Sequence, residues 1–428
     1  MISFWSFVKR QFIQIYTGDL KVLSSKFKKI APHVYNLPLY ILALPLVLLM
    51  RIISPFFLIR FQGILATRIG HLAGNIELYL CEQEEGINVP KKMYFDIFFV
   101  QLKPVSNSQL LTMWKRKITI YPHYLIYPLV IVNSLIPGGY KHAIGISQRD
   151  RDIHNLYDKF QTHLSFTDQE EAFGRKELLR FGIPDGAQFI CLTVRDSAYL
   201  PNLAYHSYRD GNINNYLLVA EELADRGYYV LRMGAKVNEK MTSSHERVID
   251  YASNGMRTDF MDIYLGAKCL FCIGTSTGFD SIPCIFRRPI FFITVPIAFI
   301  YTFSIKYLSI FKHHVSIDDN HELTLSEIFQ KNLGYALATV DYEDSRVFLT
   351  ENTPEEIRDS AIEMLERINN TWVDSESDME LQDQAKRIFS KFLSEAEIPK
   401  VFGSNPMHGK ISSLFSTSFL RKNKHLIK

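Results

Sequence analysis

Strands and helices alternate along the chain from Phe61 onward, and this alternation is the feature that most limits the possible fold. Tyr94–Val100 is a short apolar run rich in Phe and Val, which is typical of a strand, and Ser108–Trp114 follows as a helix. The same order returns in Phe189–Val194 and Tyr216–Asp225. Such alternation predicts an α/β protein whose parallel sheets are covered by helices on both faces.

The alternation falls into two α/β halves. At about 100–200 residues per domain, a chain of 428 residues suggests two or three units. Pro137-Gly138-Gly139 marks a loop near the end of the first half, and Thr167, with Glu170 three positions later, begins a helix of the capping-box type. We therefore predict a membrane-associating segment, two α/β domains and C-terminal helices that pack back across the domains. Their ranges are 1–60, 61–165, 166–350 and 351–428.

The first 60 residues combine basic charge with a long apolar run. They carry eight Lys and Arg against one acid, Asp19, and residues 401–428 carry five Lys and Arg and no acid. Basic ends beside aromatic and apolar neighbours suit an anionic lipid surface better than nucleic acid. Leu37–Ile59 is long enough to span a bilayer, but Pro38, Pro45 and Pro55 interrupt it, and it contains Arg51. A central Arg costs about 2.5–3.5 kcal/mol on insertion scales. We therefore expect two short apolar helices in one leaflet, a peripheral, monotopic attachment at the cytoplasmic face of the inner membrane.

The sequence offers little support for metal or redox chemistry. Cys269 and Cys272 form a C-x-x-C pair, but they lie in an apolar, strand-like run with no second ligand pair nearby, so we expect a buried core position. Arg149-Asp150-Arg151-Asp152 is interpreted as a solvated charge run, and no D-x-D follows a strand in a ligand-binding loop. We therefore expect neither a metal nor a cofactor.

The segment Gly274-Thr275-Ser276-Thr277-Gly278 is the strongest candidate for an anion-binding site. An apolar strand runs directly into this turn, and we expect a helix to open at Phe279. Free backbone N–H groups, hydroxyls and the positive end of a helix dipole then favour a phosphate. The segment lacks the Gly-Lys-Ser/Thr of a Walker motif, so a plain turn of small residues is the alternative.

Two strand ends each offer an arginine. Arg195 follows an apolar strand directly, and Arg232 precedes Gly234 at the end of another. The carboxyl ends of parallel strands meet at one edge of a sheet, where ligands bind. Because a planar guanidinium bonds two phosphate oxygens at once, the two arginines and the glycine-rich turn together predict a diphosphate site. For each arginine taken singly, a surface salt bridge is the alternative.

Two residues are candidate general bases. His71 stands at the first strand–helix turn of the N-terminal half, where Gly70 and Gly74 permit close approach of a ligand. Asp196 follows Arg195 at the end of its strand. Either side chain is able to take a proton from an attacking hydroxyl, and for His71 a capping or buried histidine is the alternative.

Nine stretches of the chain share the style of one protein family. They are Thr193–Asp196, Tyr208–Tyr216, Tyr229–Gly234, His245–Tyr251, Asp259–Tyr264, Gly274–Gly278, Leu323–Phe329, Glu351–Glu356 and Phe419–Asn423. In combination they resemble the glycosyltransferase family of bacterial capsule and O-antigen loci, and the resemblance covers residues 60–428. Val194-Arg195 is also similar to the arginine-bearing strand of GT-B fucosyltransferases.

The resemblance implies a GT-B fold, in which two Rossmann-like parallel-sheet domains face a cleft, and it implies transfer of a sugar from a nucleotide-sugar. We assign the N-terminal domain to a lipid-linked surface-polysaccharide acceptor and the C-terminal domain to the donor, without a metal ion. The diphosphate then meets Arg195, Arg232 and Gly274–Gly278. Asp280 lies near the ribose or sugar, and one of the two candidate bases activates the acceptor hydroxyl.

Two other functions stay open, and neither involves nucleic acid. A nucleotide-sugar 2-epimerase has the same two-domain fold, but it needs no membrane segment, so Leu37–Ile59 speaks against it. A non-catalytic membrane scaffold of a polysaccharide assembly complex would keep its function without Arg195 and Arg232.

Overall fold

The computed structural model describes residues 24, 36–101, 104–145, 151–196, 198, 201–397 and 407–428, so most of the basic segment 1–36 lies outside the described residues. The described strands are β1 (Phe57–Ile64), β2 (Met93–Val100), β3 (Ile120–Tyr121), β4 (Phe189–Thr193), β5 (Tyr229–Met233), β6 (Val248–Ile249), β7 (Cys272–Gly274), β8 (Ile290–Thr294), β9 (Tyr307–Phe311), β10 (His313–Ser316), β11 (Val347–Thr350) and β12 (Leu414–Phe415). The described α-helices are α1 (Leu37–Ile53), α2 (Ile69–Glu85), α3 (Ser108–Trp114), α4 (His123–Leu135), α5 (Asp168–Arg180), α6 (Leu217–Asp225), α7 (Asp259–Lys268), α8 (Ser281–Ile285), α9 (Leu325–Gln330), α10 (Thr339–Asp344), α11 (Pro354–Ile368), α12 (Glu376–Glu395) and α13 (Thr417–Lys422).

The chain divides into two compact units, and neither is continuous in sequence. As far as they are described, the first takes in Met1–Ile64, Pro90–Leu102 and Thr119–Gly145, and the second takes in Leu65–Val89, Lys103–Ile118 and Ile146–Lys428. Helices α2 and α3 therefore belong to the second unit, although they follow strands of the first. The linear domain ranges inferred from the sequence stay a prediction, and the boundary at residue 60 falls inside β1.

The first unit is a small parallel sheet with two helices. Its strands lie in the order β1-β2-β3 and pair in parallel, with Phe57 opposite Met93 and Phe98 opposite Ile120. The buried apolar core of this unit consists of Ala43, Val47, Met50, Phe61, Phe99, Ile126 and Val132. Helices α1 and α4 contribute five of these side chains, so their inner faces are held by hydrophobic contact.

The apolar segment Leu37–Ile59 does not form the two helices expected from its prolines. Residues Leu37–Ile53 form one helix of 17 residues with Pro45 inside it. Strand β1 begins at Phe57, so the end of the expected membrane segment belongs to the sheet. Within the described ranges, no helix combines the length and apolar character needed to cross a bilayer.

The second unit is built on a seven-stranded parallel sheet. Its strands lie in the order β12-β9-β8-β7-β4-β5-β6, and each neighbouring pair is parallel. Every residue of β4, β8 and β9 is buried, as the predicted parallel sheet with two covered faces requires. From β4 the chain continues to β5 and β6 on one side, then crosses to β7 on the other side of β4. Strands β4 and β7 therefore flank a topological switch point, where ligands bind in open α/β sheets.

Helix starts in the second unit follow from capping residues in the sequence. The Thr167 hydroxyl accepts the N–H of Glu170, and the Glu170 carboxylate accepts the N–H of Thr167, so the predicted capping box is present at α5. Thr324 and Thr353 begin α9 and α11 with the same arrangement. Each box satisfies backbone donors that would otherwise lack partners at the start of a helix.

The C-terminal residues pack onto the sheet of the second unit. Strand β12 adds to β9, with Leu414 opposite Leu308. Two basic residues of α13, which we expected at an anionic surface, form ion pairs within the unit instead. Arg421 pairs with Asp378 at 2.6 Å, and Lys422 pairs with Asp359. The charge of this end of the chain is thus partly neutralised internally.

Candidate functional site

The loops that follow β4 and β7 meet at the switch point of the seven-stranded sheet. The N–H of Arg195, two residues past β4, donates to Thr275 Oγ1 at 2.8 Å, and Thr275 comes directly after β7. The N–H of Gly211 donates to the carbonyl of Arg195 at 2.9 Å. The predicted arginine and the predicted glycine-rich turn are therefore in direct contact.

Asp280 fixes the shape of the glycine-rich turn. Its carboxylate accepts the Thr193 hydroxyl at 2.7 Å and the N–H of Thr277 at 2.7 Å. A Cβ atom on Gly274 would lie 2.8 Å from this carboxyl group, so glycine is needed there. Burial raises the pKa of Asp280 to about 6, and the bonds from Thr193 and Thr277 oppose that rise. Because Asp280 is only 1% exposed, the structure gives it a supporting role and no exposed oxygen for a ribose or sugar.

The helix dipole expected behind this turn is not available from α8. That helix has five residues and begins at Ser281, whereas the sequence suggested a longer helix from Phe279. The N–H of Thr277 is bonded to Asp280, and the Ser276 hydroxyl donates to Thr294 Oγ1 at 2.7 Å. Positive charge at the turn therefore comes from groups other than α8.

Two arginines supply that charge. Arg209 donates from Nη2 to the carbonyl of Ser276, and Arg195 lies beside the same turn. Among the described residues, the Nε atoms of both arginines are buried without a hydrogen-bond partner. Asp210 lies 3.4 Å from Arg195 Nε, which is an ion-pair distance without hydrogen-bond geometry. The two guanidinium groups interact with each other electrostatically, and Asp210 is the carboxylate at ion-pair distance from Arg195.

The pKa values around the turn are lowered first by burial and, for two of the groups, also by neighbouring cations. Burial and then the charge of Arg195 lower the pKa of Arg209. Burial lowers the pKa of His206 as well, and Arg209 and Arg195 lower it further. Burial lowers the pKa of Lys312, which donates to the carbonyls of Tyr208 and Asp210. A bound anion would oppose these shifts, because opposite charge favours the protonated form of each group.

Sequence reasoning did not select Arg209, His206 or Lys312. Lys312 directly follows β9, so the strand-end rule that identified Arg195 would also have identified it. Arg209 and His206 lie in the 3-10 segment Pro201–Arg209, which has neither a strand nor a helical period to mark it. For Arg209, the signal was its place in the stretch Tyr208–Tyr216.

Arg232 does not join the arginines at the turn. Its side chain is 1% exposed, and Nη1 donates to the carbonyl of Glu239 at 2.8 Å and to Asp250 at 3.3 Å. Nη2 lies 3.9 Å from Asp196. A contact between Arg232 and a diphosphate stays a prediction. The two carboxylates already balance the charge of Arg232, which weakens that prediction.

A cavity of about 350 Å³ opens beside Val194 and Asp196, the two neighbours of Arg195 in the chain. Its volume is within the range of small-molecule sites. Asp196 lines it, but both carboxylate oxygens accept backbone N–H groups, from Ala198 at 2.9 Å and Asn238 at 2.8 Å. Asp196 thus holds two loops together at the cavity wall. The lining residues are Val194, Asp196, Asp210, Gly211, Asn212, Ile213, Arg232, Asn238, Glu239 and Glu351.

The helix that bears His71 packs against the glycine-rich turn. A Cβ atom on Gly278 would lie 3.1 Å from Ile69 and 3.5 Å from the Gly70 nitrogen, so glycine allows the two segments to touch. Helix α2 has 17 residues and begins at Ile69, which puts a long helix N-terminus at the turn in place of α8. The two separately predicted features, His71 and Gly274–Gly278, therefore lie close together in the second unit.

One cluster of described residues has metal-ligating side chains. The ligand atoms of Glu77, Cys81 and His163 lie within 4.8 Å of one another. Arg287 already fills the space, since Nη2 is 2.5 Å from Glu77 Oε1 and 3.5 Å from Cys81 Sγ. Burial and then the Glu77 charge raise the pKa of the Cys81 thiol to about 12. A protonated thiol beside a guanidinium does not suit a cation.

Two further sequence expectations concern buried groups. Cys269 and Cys272 are fully buried free cysteines, which confirms a core position for the C-x-x-C pair. The expected solvated charge run is wrong for Asp152, which is 1% exposed and accepts the N–H of Tyr157 at 2.8 Å. Arg151 bonds the carbonyls of Phe299 and Ile300, so it too belongs to the fold.

Comparisons with known proteins give distant structural similarity. No protein-family model and no curated protein match the sequence. Similar solved structures include the ADP-heptose lps heptosyltransferase II of E. coli, at 12% identity and a TM-score of 0.38, over 72% of this chain and 98% of that chain. The glycosyl transferase family 9 protein of Veillonella parvula aligns at 10% identity and a TM-score of 0.44, over 73% and 98%. The E. coli heptosyltransferase WaaC with ADP aligns at 10% identity and a TM-score of 0.26, over 55% and 87%.

Proposed function

We propose that this chain is a GT-B glycosyltransferase that moves a sugar from a nucleotide-sugar to a lipid-linked acceptor in surface-polysaccharide synthesis. The reaction takes place at the cytoplasmic face of the inner membrane and needs no metal ion. The observation that carries the proposal is the pair of arginines, Arg195 and Arg209, at the turn Thr275–Ser276 on the switch point of a parallel sheet.

A diphosphate is the ligand that best suits this pair. Each guanidinium has a buried Nε atom without a hydrogen-bond partner among the described residues. Lys312 is a third cation, and it lines a small cavity together with Arg209 and Thr275. Planar forks bond two phosphate oxygens at once, and fixed cations stabilise the negative charge that develops on a leaving nucleotide. Since protein cations supply this charge, a divalent metal is not required for departure of the leaving group.

The neighbouring cavity suits the uncharged, hydroxyl-rich part of the donor. Asp210 presents a carboxylate to it and Asn212 presents an amide, while the Glu351 carboxylate in its wall already accepts the N–H of Asn212 and Nδ2 of Asn215. Such groups accept hydrogen bonds from ribose and sugar hydroxyls. This assignment replaces Asp280 as the hydroxyl-binding residue of the donor site.

His71 is the candidate base that we favour. The two carboxylate oxygens of Asp196 are both occupied by backbone N–H groups, which suits an anchoring role. The helix of His71 abuts the glycine-rich turn through Gly70 and Gly278. A base on this helix lies near the proposed diphosphate site, and it acts when the attacking hydroxyl comes within hydrogen-bond reach of His71.

A thermal-shift screen of the purified protein tests the proposal. Its ligands are ADP, UDP, GDP, CMP, dTDP and their common sugars, each with Mg²⁺ or with EDTA. We expect one nucleotide to stabilise the protein equally in both, by about 2.7 kcal/mol at 100 times its dissociation constant. Arg195→Ala and Arg209→Ala should lose the shift. Arg226→Ala should keep it, because Arg226 pairs with Glu222 at the surface of α6.

Two outcomes would contradict this proposal. The absence of a shift with every nucleotide, or a shift that requires Mg²⁺, removes the argument from the arginine pair. Product analysis with the identified donor then separates transfer from 2-epimerisation, since an epimerase alters the sugar without an acceptor. If polymer synthesis in cells survives Arg195→Ala and Arg209→Ala together, the scaffold function is the better account.

A further inference from the structure

Helix α1 is apolar on nearly all its sides, yet only one stripe of it is buried. Ala43, Val47 and Met50 form that stripe, at the spacing of one helix face. Leu42 is 68% exposed and Ile52 is 73% exposed. At 3.6 residues per turn, the exposed large apolar positions cover an arc of about 220°. They are Leu37, Leu39, Ile41, Leu42, Leu44, Leu46, Leu48, Leu49 and Ile52.

The apolar surface continues onto α4 and the segments next to the two helices. Leu125 and Leu135 of α4 are exposed, and so is Phe56, just before β1. Tyr124 and Tyr140 are exposed at the same unit and combine an apolar ring with a polar hydroxyl, as residues of a membrane interface do. Single exposed apolar residues are common on the surface of a monomeric protein. This apolar patch is far larger than such scattered residues.

Arg51, the cation that weighed against a membrane segment, donates hydrogen bonds to neutral oxygen atoms of its own unit. Nε donates to Asn133 Oδ1 at 2.8 Å, and Nη2 donates to the carbonyls of Asn133 and Ile136, each at 3.1 Å. Nη1 donates to the carbonyl of Pro137 at 3.2 Å. A Cβ atom on Gly139 would lie 2.4 Å from the Asn133 carbonyl oxygen and would clash with it. Glycine therefore allows the Pro-Gly-Gly loop to pack this close to Asn133 and Arg51. The bonds lower the cost of holding the guanidinium next to lipid.

The charge of the first unit is complementary to an anionic surface. Its described ranges contain five Lys and Arg and one carboxylate, Asp96. That carboxylate is buried in an ion pair with Arg60 at 2.6 Å. Lys91, Lys92 and Lys141 are exposed. The surface therefore offers apolar groups and positive charge together, which is the combination that binds anionic bilayers.

We propose that α1 and α4 dock the protein to an anionic bilayer by entering one leaflet. At 1.5 Å per residue, α1 is about 25 Å long, less than the roughly 30 Å of a hydrocarbon core, so it lies along or dips into the leaflet without crossing it. A second copy of the chain is a poorer occupant, because a protein face covers one side of a helix and lipid surrounds an arc of this width. The inference concerns attachment alone, so it does not depend on the transferase activity.

Flotation with lipid vesicles tests this docking surface on the full chain. The triple variant Leu42→Gln, Leu49→Gln, Ile52→Gln removes apolar groups that are not part of the buried stripe. The matched control replaces equally exposed apolar residues of the second unit, Leu179→Gln with Val373→Gln. We expect the native chain and the control to float with phosphatidylcholine–phosphatidylglycerol vesicles, and the triple variant to lose at least ten-fold in vesicle binding. Vesicles of phosphatidylcholine alone should bind the native chain more weakly.

Light scattering and nucleotide-induced thermal shift make the outcomes distinct. Unchanged flotation of the folded triple variant would overturn the proposal, as would a native chain that does not float. A native dimer that becomes a monomer in the triple variant, without vesicle binding by either, would assign the patch to a second copy instead. Because the nucleotide shift is measured in the same samples, loss of membrane binding and loss of the proposed donor site are separated.

Discussion

Arg195 and Asp280 show which properties of a single residue can be predicted from sequence and which cannot. Arg195 was predicted because it ends an apolar strand, and that position alone brings it to the ligand-binding edge of a sheet. Asp280 was assigned to a ribose because it follows a candidate phosphate loop. The direction of its side chain depends on Gly274 and Thr193, which meet it only in the folded chain. Type and position of a residue are thus readable from sequence, and the partner of a buried carboxylate is not.

Gly274→Ala tests the role given to Asp280. The added Cβ would lie 2.8 Å from the carboxyl group, so the turn has to shift. We expect a loss of about 1–3 kcal/mol in the free energy of unfolding, measured in urea, and loss of the nucleotide-induced thermal shift. In a double-mutant cycle with Asp280→Ala the losses should be less than additive, since the clash disappears with the carboxyl group. Strict additivity would contradict the contact.

Arg209→Lys distinguishes a planar fork from simple positive charge. Lysine keeps the charge but cannot bond two phosphate oxygens in one plane. We expect Arg209→Ala to weaken nucleotide binding by roughly 10–100-fold, as loss of charge-assisted hydrogen bonds of about 1.5–3 kcal/mol implies. Arg209→Lys should fall between the native chain and the alanine variant in titration calorimetry. Native affinity in the lysine variant would show that charge alone acts.

At the scale of elements, the sequence predicted helices and strands well where a cap or a strong period marks them. Helix α3 has the predicted bounds, and α5 begins at the predicted Thr167 cap. The segment from Leu37 was divided wrongly, because Pro45 suggested a break that a helix with an apolar environment tolerates. The error at α8 has another cause. Asp280, which was expected inside the helix, accepts the Thr193 hydroxyl of β4, a tertiary contact that local pattern does not contain.

The contact between β10 and α11 predicts a pH dependence of stability. His313 lies between Glu322 and Glu356, with Nε2 2.9 Å from Glu356. Burial opposes protonation, but the two carboxylates outweigh it and raise the pKa of His313 to about 9. A raised histidine pKa stabilises the fold fully below about pH 6.5, and this contribution is lost as the pH rises through about 9.

His313→Gln provides the measurement. We expect the native chain to lose up to about 3 kcal/mol in free energy of unfolding, relative to the variant, between pH 6.5 and pH 9.5. Urea titrations of both proteins at several pH values measure this difference. Subtracting the value of the variant from that of the native chain cancels the contribution of the other titrating groups. A difference that stays constant over this range would mean that His313 is not charged in the folded chain.

For the whole molecule, the sequence predicted the fold class and missed the connectivity. Alternation of strands and helices predicts a parallel sheet, and the second unit has one of seven strands. The discontinuous units follow from packing between segments far apart in sequence, so no local pattern marks them. Strand β12 is an example: two residues, Leu414 and Phe415, complete a sheet whose neighbouring strand lies about a hundred residues earlier.

Glu363 ties this distant end of the chain to α11. It is fully buried and accepts the Ser416 hydroxyl at 2.8 Å and the N–H groups of Thr417 at 3.0 Å and Ser418 at 2.8 Å. Glu363→Ala leaves these donors without a partner, so we expect a loss of about 2–4 kcal/mol in urea unfolding and faster cleavage of the C-terminal residues by carboxypeptidase. Glu366→Ala on the same helix, where no such contact exists among the described residues, should change either measurement little.

Because β12 follows β9 by about a hundred residues, the ribosome synthesises it long after its partner strand. Every residue of β9 is buried in the folded chain, and its outer edge stays unpaired until Leu414 and Phe415 have left the exit tunnel. At about 5–20 residues per second, the hundred intervening residues take roughly 5–20 s to make. An unpaired strand edge is a template for aggregation during that interval. The nascent chain therefore has to be shielded, and any pause in translation between these two strands should lower the yield of folded protein.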